Sequence, residues 1–176
     1  MVEAELVPPL NGEAAAVRLR AWRNVGQMGS YARALEAGTP PDLSSVRCSG
    51  ATAWGLGLNA ELGTSDRGQG LFLRLGWKDG APEPMASGEA DWSASLGGQV
   101  AGGGWGRGND AVGFALAWSA LSGPHARYPA AGGSDLHLGA AGWRSAPERI
   151  LEGYYALAAA SWATVSAGAP ERVSPP

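Results

Sequence analysis

The sequence predicts an all-β, antiparallel chain of seven or eight strands with one short helix inside a long connection. Three observations carry that prediction. Apolar residues recur with a period of two over segments near ten residues long, the mark of strands with two unlike faces. Clusters of Gly, Asp, Ser and Pro separate these segments, and no two segments share the 3.6-residue period that packed amphipathic helices need. Charged residues make up only 16% of the chain and glycines number 28, so few groups exist to cover a water-facing surface.

Residues 1–13 are polar, contain Pro8-Pro9 and are expected to form an irregular lead-in. Ala14 to Asn24 is the first strand, with Val17, Leu19 and Ala21 opposite Arg18, Arg20 and Trp22. Gly29 to Ala37 has helix-forming composition and stops before Pro40-Pro41, which places a short helix there. Ala51 to Leu62 sets Thr52, Trp54, Leu56, Leu58, Ala60 and Leu62 against a small and polar face that includes Asn59 and Glu61. Leu71 to Lys78 sets Leu71, Leu73, Leu75 and Trp77 against Phe72, Arg74, Gly76 and Lys78, and ends on the turn pair Asp79-Gly80.

Gly88 to Val100 alternates again, with Ala90, Trp92, Ala94, Leu96 and Val100 opposite Glu89, Asp91, Ser93, Ser95 and Gln99. In Ala111 to Leu121 the residues Val112, Phe114, Leu116 and Trp118 face away from a row of small ones. Ser122 to Gly133 is a loop with room for one helical turn. Ser134 to Gly142, Arg149 to Ala160 and Trp162 to Ala167 complete the strands, and 169–176 is expected to be an irregular tail.

Two partners for the apolar faces stay open on this pattern. A soluble β-sandwich, for example a carbohydrate-binding module, would bury them in a core; a membrane barrel would turn them to lipid. The strands approach the ~9–11 residues that a tilted membrane strand requires. Trp22, Trp54, Trp77, Trp92, Trp118 and Trp162 recur strand by strand, as interfacial anchors do, while Trp105 and Trp143 fall in turns.

Other chemistries find little support. A net charge of -3 with no basic cluster argues against a nucleic-acid partner. Cys48 is the only cysteine, so the chain makes no internal disulfide and no cysteine-based metal site. His125 and His137 are too few and too far apart for a metal set, and read as loop residues without partners. Glu89 and Asp91 share one strand face, where a general acid and base could work together, but a solvated or arginine-paired face accounts for them more simply. The run GGGWGRG matches no phosphate-binding motif and reads as a turn. No enzyme activity, metal or cofactor is expected.

Taken in order, GQMGSYARAL, AWGLGLNAEL, GLFLRLGWKDG, EADWSASLGGQV, GGGWGRGNDAVGFALAWSALS, HARYPAAGG and APERILEGYYAL resemble the C-terminal half of the carbohydrate-selective OprB-type porins, over roughly Ala21 to Ala167. The succession of WGRGNDAVG, HARYPAAGG and APERILEGYY is the specific part. The resemblance implies that residues 14–168 are part of an antiparallel transmembrane β-barrel of sixteen strands, in the bacterial outer membrane, through which monosaccharides and other small solutes diffuse. Its implied partners are small sugars, outer-membrane lipid and the other half of the barrel.

In that setting the charged faces line the lumen. Arg18, Arg20, Asn59, Glu61, Arg74, Lys78, Glu89, Asp91 and Glu152 become candidates for contact with sugar hydroxyls. Trp54, Leu56, Leu58, Leu71, Leu73, Leu75, Trp77, Trp92, Phe114 and Trp118 become lipid-facing or interfacial. All 13 basic residues but Lys78 are arginines, whose planar fork suits bidentate contact with sugars or carboxylates. Family members are more than twice this long and carry an export signal. Here the start, MVEAELVPPLNGEAAAV, is acidic and lacks a long apolar stretch, so no export signal is expected in the chain as written, and it is expected not to close a sixteen-stranded ring alone. A remnant of a porin gene without activity of its own is the further alternative.

Overall fold

The computed structural model describes residues 1–8, 14–64, 68–84, 90–134, 142 and 144–172. Eight strands form one antiparallel sheet in which each strand pairs with its neighbours in sequence: β1 (Val2–Leu6), β2 (Ala14–Met28), β3 (Cys48–Thr64), β4 (Gln69–Lys78), β5 (Trp92–Gly102), β6 (Arg107–Ala120), β7 (Glu148–Ala160) and β8 (Ala163–Arg172). β1 and β8 are the open edges. Two short helices, α1 (Tyr31–Ala37) and α2 (Gly123–Ala130), lie in the connections after β2 and β6.

Seven of the eight strands run ten residues or longer, and β3 reaches 17. Strands in soluble proteins centre on about 5–6 residues. Long connections join β2 to β3, β4 to β5 and β6 to β7 at one end of the sheet, and short turns join the strands at the other. That asymmetry is the pattern of outer-membrane barrels.

The buried apolar cluster of Tyr31, Ala34, Leu43 and Tyr128 sits among the long connections and not under the sheet. No second sheet covers either face among the described residues, so the sandwich reading does not hold. The apolar face is left open: Leu56, Leu71, Leu75, Leu96, Phe114 and Leu116 are all exposed, and all share one side by register. Soluble monomers rarely expose a contiguous apolar face of this kind.

Several boundaries differ from expectation. Residues 2–6 are not an irregular lead-in: they form β1, whose Glu3 and Glu5 stand opposite Arg20 and Arg18. β8 runs on through Arg172, so the tail from 169 is strand in its first part. β5 begins at Trp92: Ala90 and Asp91 are not strand, and the Asp91 side chain accepts the Ser122 N–H from the connection after β6. α2 is a full eight-residue helix rather than a single turn, begun by a proline in its first turn. The strand expected over 134–142 falls at residues 135–141 outside the described ones, and Ser134 and Gly142 themselves are not strand.

Glycine on the polar face makes room for rings. Trp22 lies over Gly55, Phe72 over Gly97 and Tyr154 over Gly113, each ring covering its directly paired partner. A Cβ at any of the three would enter the van der Waals envelope of the ring. Aromatic cover of a strand glycine replaces the packing that glycine itself lacks.

Candidate pore-lining face

Register fixes which side chains share the polar face. Glu5, Arg18, Asn59, Arg74, Ser95 and Ala117 form one row across β1 to β6, and Glu61, Phe72, Gly97, Ala115 and Glu152 form the next across β3 to β7. Arg18 bridges two carboxylates, at 2.9 Å from Glu5 and 3.0 Å from Glu61. Asn59 Nδ2 donates to Glu61 at 2.9 Å, and Arg74 Nε donates to Asn59 Oδ1 at 3.3 Å. The Arg74 guanidinium also lies 4.7 Å from the Phe72 ring centre. Arg20 holds Glu3 through two of its nitrogens, at 2.7 and 2.9 Å.

The result is a ladder from Glu5 through Arg18, Glu61 and Asn59 to Arg74, spanning four strands. Exposed pairs of this kind contribute at most about 1 kcal/mol each, so their consequence lies in the surface they present rather than in stability. On β5 and β6 the same face is small and neutral, with Ser93, Ser95, Gly97, Ala115, Ala117 and Ser119, and on β7 it carries Glu152. There Tyr154 donates to Gln99 at 2.6 Å, and Glu152 is exposed with no partner among the described residues. Arg18, Glu61, Phe72, Arg74, Gln99 and Glu152 are among the residues bounding an open cleft of about 810 Å³.

The ten residues expected to face lipid all lie on the opposite side. Trp54, Trp77, Trp92 and Trp118 gather near the long connections; the Trp77 and Trp92 rings are 6.2 Å apart, and Arg23 lies 5.5 Å from the Trp54 ring centre. Near the short turns Trp105 Nε1 donates to the Tyr155 hydroxyl at 3.2 Å, which gives the turn tryptophan a place, and Trp162 is 88% exposed. The aliphatic residues lie between the two aromatic groups, the arrangement of a lipid-facing band between girdles. Trp22 departs from its expected role as an interfacial anchor, since it stands on the polar face over Gly55.

Three sequence expectations for polar residues are corrected. Lys78 and Asp91 are only 6% and 1% exposed, because the connection carrying α2 covers the ends of β4 and β5. They pair with each other at 3.4 Å and do not present themselves to solutes. His125 is not a partnerless loop residue: its Nδ1 lies 2.9 Å from Asp91 Oδ2, and its ring stacks on Tyr31 at 4.2 Å. Glu89 and His137 lie outside the described residues. Among the described residues no cluster of His, Cys, Asp and Glu could hold a metal ion.

Asp91 and Glu83 anchor the long connections. Burial pushes the Asp91 carboxyl up, but hydrogen bonds from His125 and from the Ser122 N–H, with the charge of His125, outweigh burial and hold it below the usual range. Glu83, only 4% exposed, takes both arms of the Arg47 fork at 2.6 and 2.8 Å and the Gly29 N–H at 2.7 Å. The Arg47 hydrogen bonds lead in lowering the Glu83 pKa, and the Gly29 N–H adds to them against burial. A depressed carboxylate pKa contributes stability above its unfolded value, near ~4.3 for Glu, that is lost as pH falls through the lower folded value. Protection of the Gly29 amide, its exchange rate relative to the intrinsic rate at each pH, is therefore expected to hold at neutral pH and to fall only in the acid range below the ordinary carboxylate value, as amide exchange measured across pH will show.

Sequence reasoning missed these anchors, and also Asp110, which accepts from Arg107, from Tyr155 and from the Ala158 N–H at 2.9 Å. A carboxylate that interrupts the apolar alternation at Asp110 was the available signal; for Glu83 and Arg47, 36 residues apart, the sequence holds none.

The comparisons with known proteins agree with this geometry. A family model described as carbohydrate-selective porin, OprB family, matches residues 6–170. The solved structure titled "High pH structure of Pseudomonas putida OprB" superposes with a TM-score of 0.73 at 19% identity, covering 97% of this chain. The chain spans 42% of the length of that protein. No curated protein sequence matches the chain. The chain belongs to the OprB family of carbohydrate-selective porins.

Proposed function

We propose that the sheet is a section of the wall of an outer-membrane channel, with its polar face toward water and its apolar face toward lipid, through which monosaccharides and other small solutes diffuse passively. The observation that carries this reading is the division of one uncovered sheet into an aliphatic face bounded by aromatics and a face of compensated charges. Arg18, Arg20, Asn59, Glu61, Arg74 and Glu152 are the groups offered to sugar hydroxyls. Because most of these charges are paired, the surface gives hydrogen bonds without a strong net field, which suits neutral solutes.

In hydrocarbon an open edge leaves backbone groups without partners. β1 and β8 are accordingly proposed to pair with further strands that complete a ring. Vesicle swelling tests the reading: the chain, reconstituted in lipid with its ring-completing strands, is expected to admit monosaccharides faster than trisaccharides. Arg74→Ala, which removes one charged hydrogen-bond donor from the polar face, is expected to change the monosaccharide rate by a few-fold. Intact strand signal in lipid without any sugar-dependent swelling would contradict it.

A further inference from the structure

The three long connections come from well-separated parts of the chain, yet each pair of them is joined. Glu83, after β4, clamps the connection after β2 through Arg47 and the Gly29 N–H, while Glu83 N–H donates back to the Gly29 carbonyl at 2.9 Å. Asp91, before β5, takes the Ser122 N–H at 2.7 Å and faces His125, so it joins the connection after β4 to the one after β6. The third joint is aromatic and polar: Tyr31 stacks on His125 and meets Tyr128 edge-on at 5.3 Å, and the Tyr128 hydroxyl accepts the Leu43 N–H at 3.2 Å. Tyr31, Glu83, Asp91, His125 and Tyr128 are all buried, so each joint has at least one buried member, while the Arg47 side chain is partly open to water.

With three mutual joints, no one of the three connections is released without breaking two joints at once. We propose that the described parts of the three long connections form a single cooperative unit that opens all at once, a rigid rim at that end of the sheet rather than three independent loops. The inference stands on these joints and not on the solute that passes. Cooperative units of this kind have one opening free energy shared by all their amides. Coupling is shown when a change at one joint alters an element that the changed residue does not touch.

Amide exchange on the unaltered chain in detergent or lipid reads this directly. The Ala34, Glu83 and Ala126 amides, one in each connection, donate to Ser30, Gly29 and Ser122 at 2.9, 2.9 and 2.8 Å. They are expected to exchange with one common opening free energy; three distinct values would overturn the proposal. Trypsin gives a second reading. Arg33 lies on α1 and Arg127 on α2, both exposed. Glu83→Gln is expected to raise cleavage at Arg127 several-fold, and Asp91→Asn to raise cleavage at Arg33 likewise. A rise confined to the connections each altered residue touches would overturn it, and the exchange result decides should either variant fail to fold. Loss of sugar permeability with the common exchange value retained would count against the channel reading and leave the rim intact.

Discussion

Leu116→Arg is expected to abolish stable insertion of the sheet into lipid, whereas Ala117→Arg, one residue further on, is expected to be tolerated. Leu116 lies on the apolar face between Leu96 and Leu151, in mid-belt, and Ala117 lies on the polar face between Ser95 and Ile150. An arginine turned to lipid at mid-membrane costs about 2–4 kcal/mol, while lumen positions accept charge and tune selectivity. The sign is what makes the pair informative. In a water-soluble sheet an exposed leucine such as Leu116, at 47% exposure, could become arginine with little loss or a gain in solubility. Folding yield of the two variants into vesicles, read by strand signal and protection from protease, separates the accounts.

Gly113→Val is expected to destabilise the sheet by about 1–3 kcal/mol, the range for overpacking a filled site. The three nearest atoms to a Cβ at Gly113 all belong to the Tyr154 side chain, so that side chain must leave its place and give up its bond to Gln99. Removing the ring should relieve the conflict. The double change Gly113→Val with Tyr154→Ala is therefore expected to cost less than the sum of the two single changes, with a coupling of about 0.5–3 kcal/mol in denaturant unfolding. Simple additivity would show that the ring does not depend on the glycine.

The sheet was legible in the sequence because its two faces differ in chemistry, one apolar and one small and polar, and a period of two survives wherever that holds. The Leu71 to Lys78 strand shows this most clearly: alternation alone divides it into two faces, and register puts Leu71, Leu73, Leu75 and Trp77 on one side of the sheet and Phe72, Arg74, Gly76 and Lys78 on the other. β1 was not legible. Its five residues alternate Glu3 and Glu5 with Val2, Ala4 and Leu6, but the segment is too short for the pattern to stand out before Pro8-Pro9.

The polar-face candidates were legible as a face but not as a network. Nothing local says that Arg18 reaches Glu61, 43 residues away, since the hairpin register decides it. Lys78 and Asp91 fit the alternation and still failed as solute contacts, because their burial comes from α2, more than 30 residues beyond Asp91. Alternation reports which face a residue takes and is silent on what later folds across the strand's end. The rim is the least legible part for the same reason: its joints tie residues from 31 positions apart (Asp91 to Ser122) to 97 (Tyr31 to Tyr128).

The central claim is that the two faces of one strand meet lipid and water in turn. Cys48 is the only cysteine, so Cys48→Ser yields a background in which single spin labels can be placed at each of residues 71 to 76 in lipid vesicles. Collision rates with oxygen, which concentrates in lipid, are expected to peak at 71, 73 and 75, and those with a water-soluble nickel complex at 72, 74 and 76. Oxygen and nickel accessibility rising and falling together, or no period of two in either, would contradict the account.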